Sequence, residues 1–133
     1  MTPLRVLTAL FLLVSWLLVN PASLFAVDTT LIAAGSNWRY LDNGSNQGTA
    51  WRAVGFNDSA WASGPAKLGF GDNDQATLIN GGPSTNRYVT TYFRRAFPVA
   101  DPAAFTSLSL RVLRDDGVIV WLNGSEVFRD NMP

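Results

Sequence analysis

Apolar and polar residues alternate with a period of two near the C-terminal end of the chain. The alternation runs through residues 108–112, and after Asp115-Asp116-Gly117 the apolar residues 118, 120 and 122 fall at the same spacing of two. Such a period places successive side chains on opposite faces of a β-strand. Asn123-Gly124 follows the second run, and both residues tolerate the positive φ angles of a type I′ turn. The pattern therefore predicts strands in both runs and a hairpin closed by Asn123-Gly124.

Upstream, short apolar runs are separated every few residues by Gly, Asn, Asp, Ser and Pro, and no long segment has the 3.6-residue period of an amphipathic helix. We therefore predict an all-β fold. The further predicted strands are residues 31–34, 38–41, 67–70 and 90–99. Polar loops are predicted at residues 42–49 and 71–86, and single helical turns at residues 57–61 and after Asp101.

The N-terminus has the order of a secretory signal peptide. Arg5 precedes an apolar run over residues 6–19, and small residues follow up to Ala26. The run is shorter than the ~20 residues that a membrane-spanning helix needs. We predict a signal peptide over residues 1–26 and a domain over residues 27–133, with a retained membrane anchor as the alternative. Either way, the domain is expected to be secreted or extracytoplasmic, in the periplasm or at the cell surface.

Composition narrows the possible functions. The 133 residues include no Cys and no His, and ten basic residues balance ten acidic ones. Zero net charge gives no field that would attract nucleic acid, so no nucleic-acid partner is expected. Without thiols and imidazoles, the chain has no zinc-finger ligands and no Ser/His/Asp or Cys catalytic centre.

Asp115 and Asp116 are adjacent on a turn, whereas glycoside hydrolysis needs two carboxyls across a cleft. No catalytic residue is predicted.

Recognisable segments occur in a fixed order along the domain: residues 38–41 (WRYL), 56–61 (FNDSAW), 92–97 (YFRRAF), 108–112 (LSLRV) and 120–128 (VWLNGSEVF). Their order and spacing resemble the galactose-binding-like jelly-roll domains of secreted multidomain bacterial proteins. The resemblance implies an antiparallel β-sandwich that binds carbohydrate in some members and acts as a spacer in others. The final strands of such a jelly roll are not in the sequence, so we expect an incomplete sandwich of marginal stability.

Trp51 beside Arg52 is the candidate for sugar stacking, because an indole can lie on the apolar face of a pyranose while polar side chains bind its hydroxyls. The preceding polar loop contributes Asp42 and Asn46, and Arg94 could line a concave sheet face. The predicted ligand-binding residues are Trp51, Arg52, Asp42, Asn46 and Arg94. Core packing is the alternative for Trp51, and a paired structural charge is the alternative for Arg94.

A glycine-flanked loop places Asp72, Asn73 and Asp74 together. Calcium takes six to eight oxygen ligands, of which such a loop could supply two or three. These three residues are therefore the candidates for an optional calcium site. The alternative is an ordinary solvated turn.

The sequence thus predicts a non-catalytic accessory module of a secreted or cell-surface bacterial protein, with a polysaccharide or glycan as partner. A structural spacer or interaction domain is the alternative from another class. A further alternative is the N-terminal part of a larger secreted hydrolase, a phosphoesterase or glycosidase, whose catalytic domain lies beyond Pro133.

Overall fold

The computed structural model describes residues 28–133, which form a β-rich fold with few helical residues. The predicted signal peptide lies outside the described residues. The strands are β1 (Asn37–Leu41), β2 (Ala62–Pro65), β3 (Leu68–Gly69), β4 (Thr77–Leu78), β5 (Tyr92–Arg94), β6 (Val118–Leu122) and β7 (Ser125–Asp130). Short 3₁₀ turns cover Ala50–Arg52 and Pro102–Ala104. Over residues 28–133, no helix has the length and apolar character needed to cross a membrane.

The largest sheet has three strands, with β1 in the centre and β2 and β5 antiparallel on either side. The strand predicted over residues 38–41 is confirmed, and within it Trp38 and Tyr40 are half-buried while Arg39 between them is exposed. Arg39 donates from Nη1 to the carbonyl of Trp61 at 3.1 Å. The central strand is thus fixed both by its ladders and by a side chain that reaches the segment before β2.

Two further strand pairs complete the β structure of the described residues. Strands β3 and β4 form a two-residue parallel bridge, with Leu68 opposite Thr77. The prediction of purely antiparallel pairing is wrong at this bridge, and β4 lies inside the segment predicted as a loop. Strands β6 and β7 form the predicted antiparallel hairpin. The β-rich class is confirmed, whereas the two-layer sandwich stays a prediction.

The hairpin turns at Asn123 and Gly124, whose φ angles are 51° and 85°. Both values are positive, as a type I′ turn requires. Beyond the turn, Trp121 faces Glu126, but Val120 faces Phe128. Val127 is therefore an extra residue, and the hairpin contains a β-bulge.

Three predicted strands differ from the structure. Residues 31–34 form no strand, and a turn follows in which Ser36 N donates to Ala33 O at 3.2 Å. The strand predicted over residues 90–99 is limited to Tyr92–Arg94, and Pro98 lacks the N–H that a longer ladder would use. Residues 108–112 alternate in sequence but form no strand. Alternation predicts a strand only where a partner strand supplies the hydrogen bonds.

The two predicted helical turns are present as short, capped segments. At residues 57–61, Ser59 N donates to Asn57 Oδ1 at 3.0 Å, and Trp61 N donates to Asp58 O at 2.9 Å. This segment is a turn rather than a helix. Asp101 Oδ1 caps the 3₁₀ turn at Pro102–Ala104 by accepting from Ala103 N at 2.9 Å. Short polar side chains that accept from nearby backbone N–H groups explain both.

The core of the described part is small. Trp61 and Ile79, each 7% exposed, are its buried hydrophobic residues. By contrast, several apolar side chains remain exposed around a shallow groove of about 170 Å³, lined by Leu108, Leu110, Val112, Val127 and Phe128. The unpaired segment 108–112 and the bulged strand β7 thus leave an apolar surface uncovered.

Candidate functional site

A chain of aromatic contacts links the 3₁₀ turn at Ala50–Arg52 to the core. The Trp51 ring lies 5.1 Å from the Tyr92 ring in an edge-on arrangement, and Tyr92 lies 6.2 Å from Trp61. Phe56 contacts the other side of this cluster, 5.7 Å from Trp61. Trp51 is half-buried, so it belongs to the edge of the cluster. Gln47 N donates to the Tyr92 hydroxyl at 3.2 Å, which ties the polar loop to the same edge.

Arg94 joins the three-stranded sheet to two neighbouring segments. Its Nε donates to Asp58 Oδ2 at 3.0 Å, its Nη2 donates to Ala53 O at 3.2 Å, and its Nη1 donates to Trp51 O. The guanidinium carbon also lies 5.1 Å from the centre of the Phe56 ring. Every nitrogen of this guanidinium therefore has a protein partner. These contacts favour the structural alternative for Arg94, and its ligand-binding role stays a prediction.

The predicted loop residues Asp42 and Asn46 are not brought to one point by hydrogen bonds. Asp42 Oδ2 accepts from Asn80 N at 2.6 Å, which connects it to a different loop. Asn46 is exposed, and its Oδ1 accepts from Gly48 N at 2.8 Å. Asn46 is adjacent to Gln47 and hence to the Tyr92 and Trp51 edge. Its role as a ligand contact stays a prediction.

Arg52 contacts an aromatic ring outside the cluster that holds Trp51. Its guanidinium lies over the Trp121 ring, with 3.8 Å from its carbon to the ring centre. Within residues 28–133, no hydrogen bond or ion pair engages this guanidinium, and of its nitrogens only Nε is buried. A Cβ built on Gly124 would lie 3.8 Å from Arg52 O, so the hairpin turn packs against this residue. The neighbours Trp51 and Arg52 therefore contact different aromatic rings.

The Trp121 face of the hairpin carries a second guanidinium. Arg129 forms a two-point bond with Glu126, with Nε to Oε1 at 2.7 Å and Nη2 to Oε2 at 2.8 Å. These bonds, with a smaller contribution from the charge of Arg52, hold the pKa of Glu126 below its usual value. The bulge at Val127 is what allows this pair, since residues three apart in a regular strand point to opposite faces.

Sequence reasoning missed Glu126 and Arg129 as neighbours of Arg52. A local signal was available, because a two-residue turn at Asn123-Gly124 fixes Trp121 opposite Glu126. The position of Arg52 over Trp121 had no such signal, since 69 residues separate the two in the numbering. The contact depends on how the 3₁₀ turn packs against the hairpin.

The loop predicted to bind calcium is held by a lysine. Lys67 Nζ donates to Asp72 Oδ2 at 3.1 Å and to Asp74 Oδ1 at 2.8 Å, while Asn73 adopts a positive φ of 65°. The hydrogen bond from Lys67 lowers the pKa of Asp74, and the two carboxylates raise the pKa of Lys67. The ammonium group thus supplies the positive charge between the carboxylates, and a calcium ion bound by both would have to displace it.

In the part of the chain that the structure describes, no group of three or more Asp, Glu, His or Cys side chains is placed to hold a metal ion. Comparison of the chain with protein-family models, curated proteins and solved structures gave no match. The resemblance to galactose-binding-like domains and the calcium site therefore stay predictions. The candidate site consists of the Trp51 edge with its polar loop and the Arg52–Trp121 stack.

Proposed function

We propose that this chain is a non-catalytic module of a secreted or cell-surface protein and that it binds carbohydrate. One observation carries the proposal: an amide-rich loop is tied to the edge of an aromatic cluster by the bond from Gln47 N to the Tyr92 hydroxyl. Trp51 packs on the same Tyr92 ring and is only half-buried. An aromatic ring and a polar loop therefore meet at one edge of the cluster.

This combination matches the two chemical features of a sugar ring. The C–H groups on one face of a pyranose are apolar and pack on aromatic rings, whereas the hydroxyls around its rim need donors and acceptors. The loop tied to the aromatic edge carries the side-chain amides of Asn46 and Gln47. The Gln47 amide donates to Ser45 Oγ at 2.8 Å, whereas the Asn46 amide nitrogen donates no hydrogen bond to residues 28–133. An amide nitrogen without an internal partner can bind a hydroxyl without breaking an existing bond.

Affinity electrophoresis through gels that contain neutral or acidic polysaccharides tests the proposal. We expect at least one polysaccharide to slow the wild-type protein, and W51A to lose most of that retardation with little change in melting temperature. V54A is the control, because Val54 is an exposed neighbour of the same turn at 75% exposure. Migration unaffected by every polysaccharide would refute carbohydrate binding.

A structural or interaction domain is the second candidate, and the exposed apolar groove beside β7 favours it. Exposed apolar patches on soluble proteins often mark contacts with other surfaces. This candidate predicts that no polysaccharide retards the wild type. It also predicts that W51A lowers the melting temperature substantially, since Trp51 would then act only by packing on Tyr92.

A further inference from the structure

The Arg52 guanidinium is oriented by packing but has no polar partner among residues 28–133. The other half-buried arginines differ from it, because Arg94 donates to Asp58 and Arg95 donates to the carbonyl of Asn37. Stacking on Trp121 fixes the plane of the Arg52 group without using its N–H donors. A donor group that is oriented in advance and unpaired loses little entropy when it binds an acceptor.

The charges around Arg52 favour an anion. Arg52 and Arg129 bring two positive charges to the Trp121 face, and Glu126 brings one negative charge. Both carboxylate oxygens of Glu126 accept from Arg129, so Glu126 is already engaged. The three side chains together carry one net positive charge. Because Arg129 is paired with Glu126, this charge belongs to Arg52, which has no polar partner among residues 28–133.

The geometry of the free donors selects a carboxylate. Arg52 Nε is buried, so the Nη1 and Nη2 edge is the part available to a ligand. Two parallel N–H groups on one edge match the two oxygens of a carboxylate, and such charge-assisted pairs are about twice as strong as neutral hydrogen bonds. We propose that the Arg52–Trp121 stack binds the carboxylate of an acidic sugar, so that the module recognises uronate-containing polysaccharides. This inference rests on the proposed carbohydrate binding and names the class of glycan.

Polygalacturonate and its methyl ester test the inference, because esterification removes the negative charge and leaves the sugar backbone unchanged. We expect polygalacturonate to retard the wild-type chain in affinity electrophoresis and the methyl ester to retard it at least about tenfold less. R52Q should lose the preference for the acid. R111Q is the matched control, since it makes the same change in net charge at an exposed arginine that has no side-chain hydrogen bond within residues 28–133.

The outcomes separate this inference from the proposed function. Equal retardation by the acid and the ester, or retardation by neutral polysaccharides alone, overturns the uronate inference and leaves carbohydrate binding in place. Loss of binding in R111Q equal to that in R52Q also overturns it, because net charge would then explain the effect. No retardation by any polysaccharide overturns both proposals.

The variant R52K keeps a long, positively charged side chain at position 52. The melting temperature of each variant, measured by thermal denaturation, shows whether the variant is folded. Lysine keeps the charge but cannot offer two parallel donors while lying flat on an indole. We expect R52K to bind polygalacturonate more weakly than the wild type at an unchanged melting temperature. Wild-type affinity in R52K would refute the role of the guanidinium. A lowered melting temperature in R52Q with unchanged selectivity for the acid would show that the stack only supports the fold.

Discussion

Removing the guanidinium of Arg94 should destabilise the domain by about 3 kcal/mol in the variant R94M. The side chain donates to Asp58 and to the carbonyls of Trp51 and Ala53, and it is only 16% exposed. A hydrogen bond to a charged group contributes about 1.5–3 kcal/mol, but three bonds from one group are not additive. The 28% exposure of the Asp58 side chain reduces the cost of leaving that carboxylate unpaired.

Urea denaturation followed by tryptophan fluorescence measures this effect, provided that the slope with urea stays constant between variants. R94K should fall between R94M and the wild type, because lysine keeps the charge near Asp58 but cannot reach both carbonyls in the same way. R111M is the control and should stay within about 0.5 kcal/mol of the wild type. If the free energy of unfolding of the wild type is smaller than the loss predicted for R94M, this variant will be unfolded and will lack a near-UV circular dichroism signal at 25 °C. An R94M stability close to that of R111M would refute the structural role and leave Arg94 available to a ligand.

Two further predictions concern the core and the acidic loop. Trp61 is 7% exposed, so W61A should lower the free energy of unfolding by about 3–5 kcal/mol in the same denaturation assay. A loss below about 1 kcal/mol would contradict the place of Trp61 in the core. The contacts of Lys67 with Asp74 should stabilise the domain only between acidic and alkaline limits, because the pKa of Asp74 is lowered from 3.8 and that of Lys67 is raised from 10.5. The stabilisation should be lost as the pH falls through the lowered pKa of Asp74 or rises through the raised pKa of Lys67. D74N should lose the acid-side change in melting temperature and keep a smaller alkaline change, because Lys67 still donates to Asp72. An acid-side change in D74N equal to that of the wild type would contradict this prediction.

The elements that the sequence predicted well are those controlled by neighbouring residues. Asn123-Gly124 adopts the positive φ angles that its chemistry favours, and the polar caps Asn57 and Asp101 accept from backbone groups two residues later. In each case the residues that interact are adjacent or nearly so. Turn and cap chemistry is therefore visible without knowledge of the fold.

The elements that the sequence did not predict depend on distant partners. Residues 108–112 have the alternation of a strand, yet they remain exposed because no ladder forms there. The parallel bridge of Leu68 with Thr77 is too short to leave a pattern. In the candidate site, the neighbour Trp51 is what predicts Arg52, but the aromatic ring that Arg52 contacts is Trp121. Local patterns cannot specify which segments meet.

The β-bulge at Val127 decides which side chains of β7 share a face. Because of this one extra residue, Glu126 and Arg129 lie on the same face although they are three residues apart. If Val127 paired with Val120 in a regular ladder instead, every later side chain of β7 would lie on the other face, and Arg129 would be separated from Glu126. Deleting Val127 would leave the later pairs, such as Val120 with Phe128, unchanged. The ion pair of Glu126 with Arg129 therefore tolerates the loss of this residue but not the loss of the bulge while the residue is present.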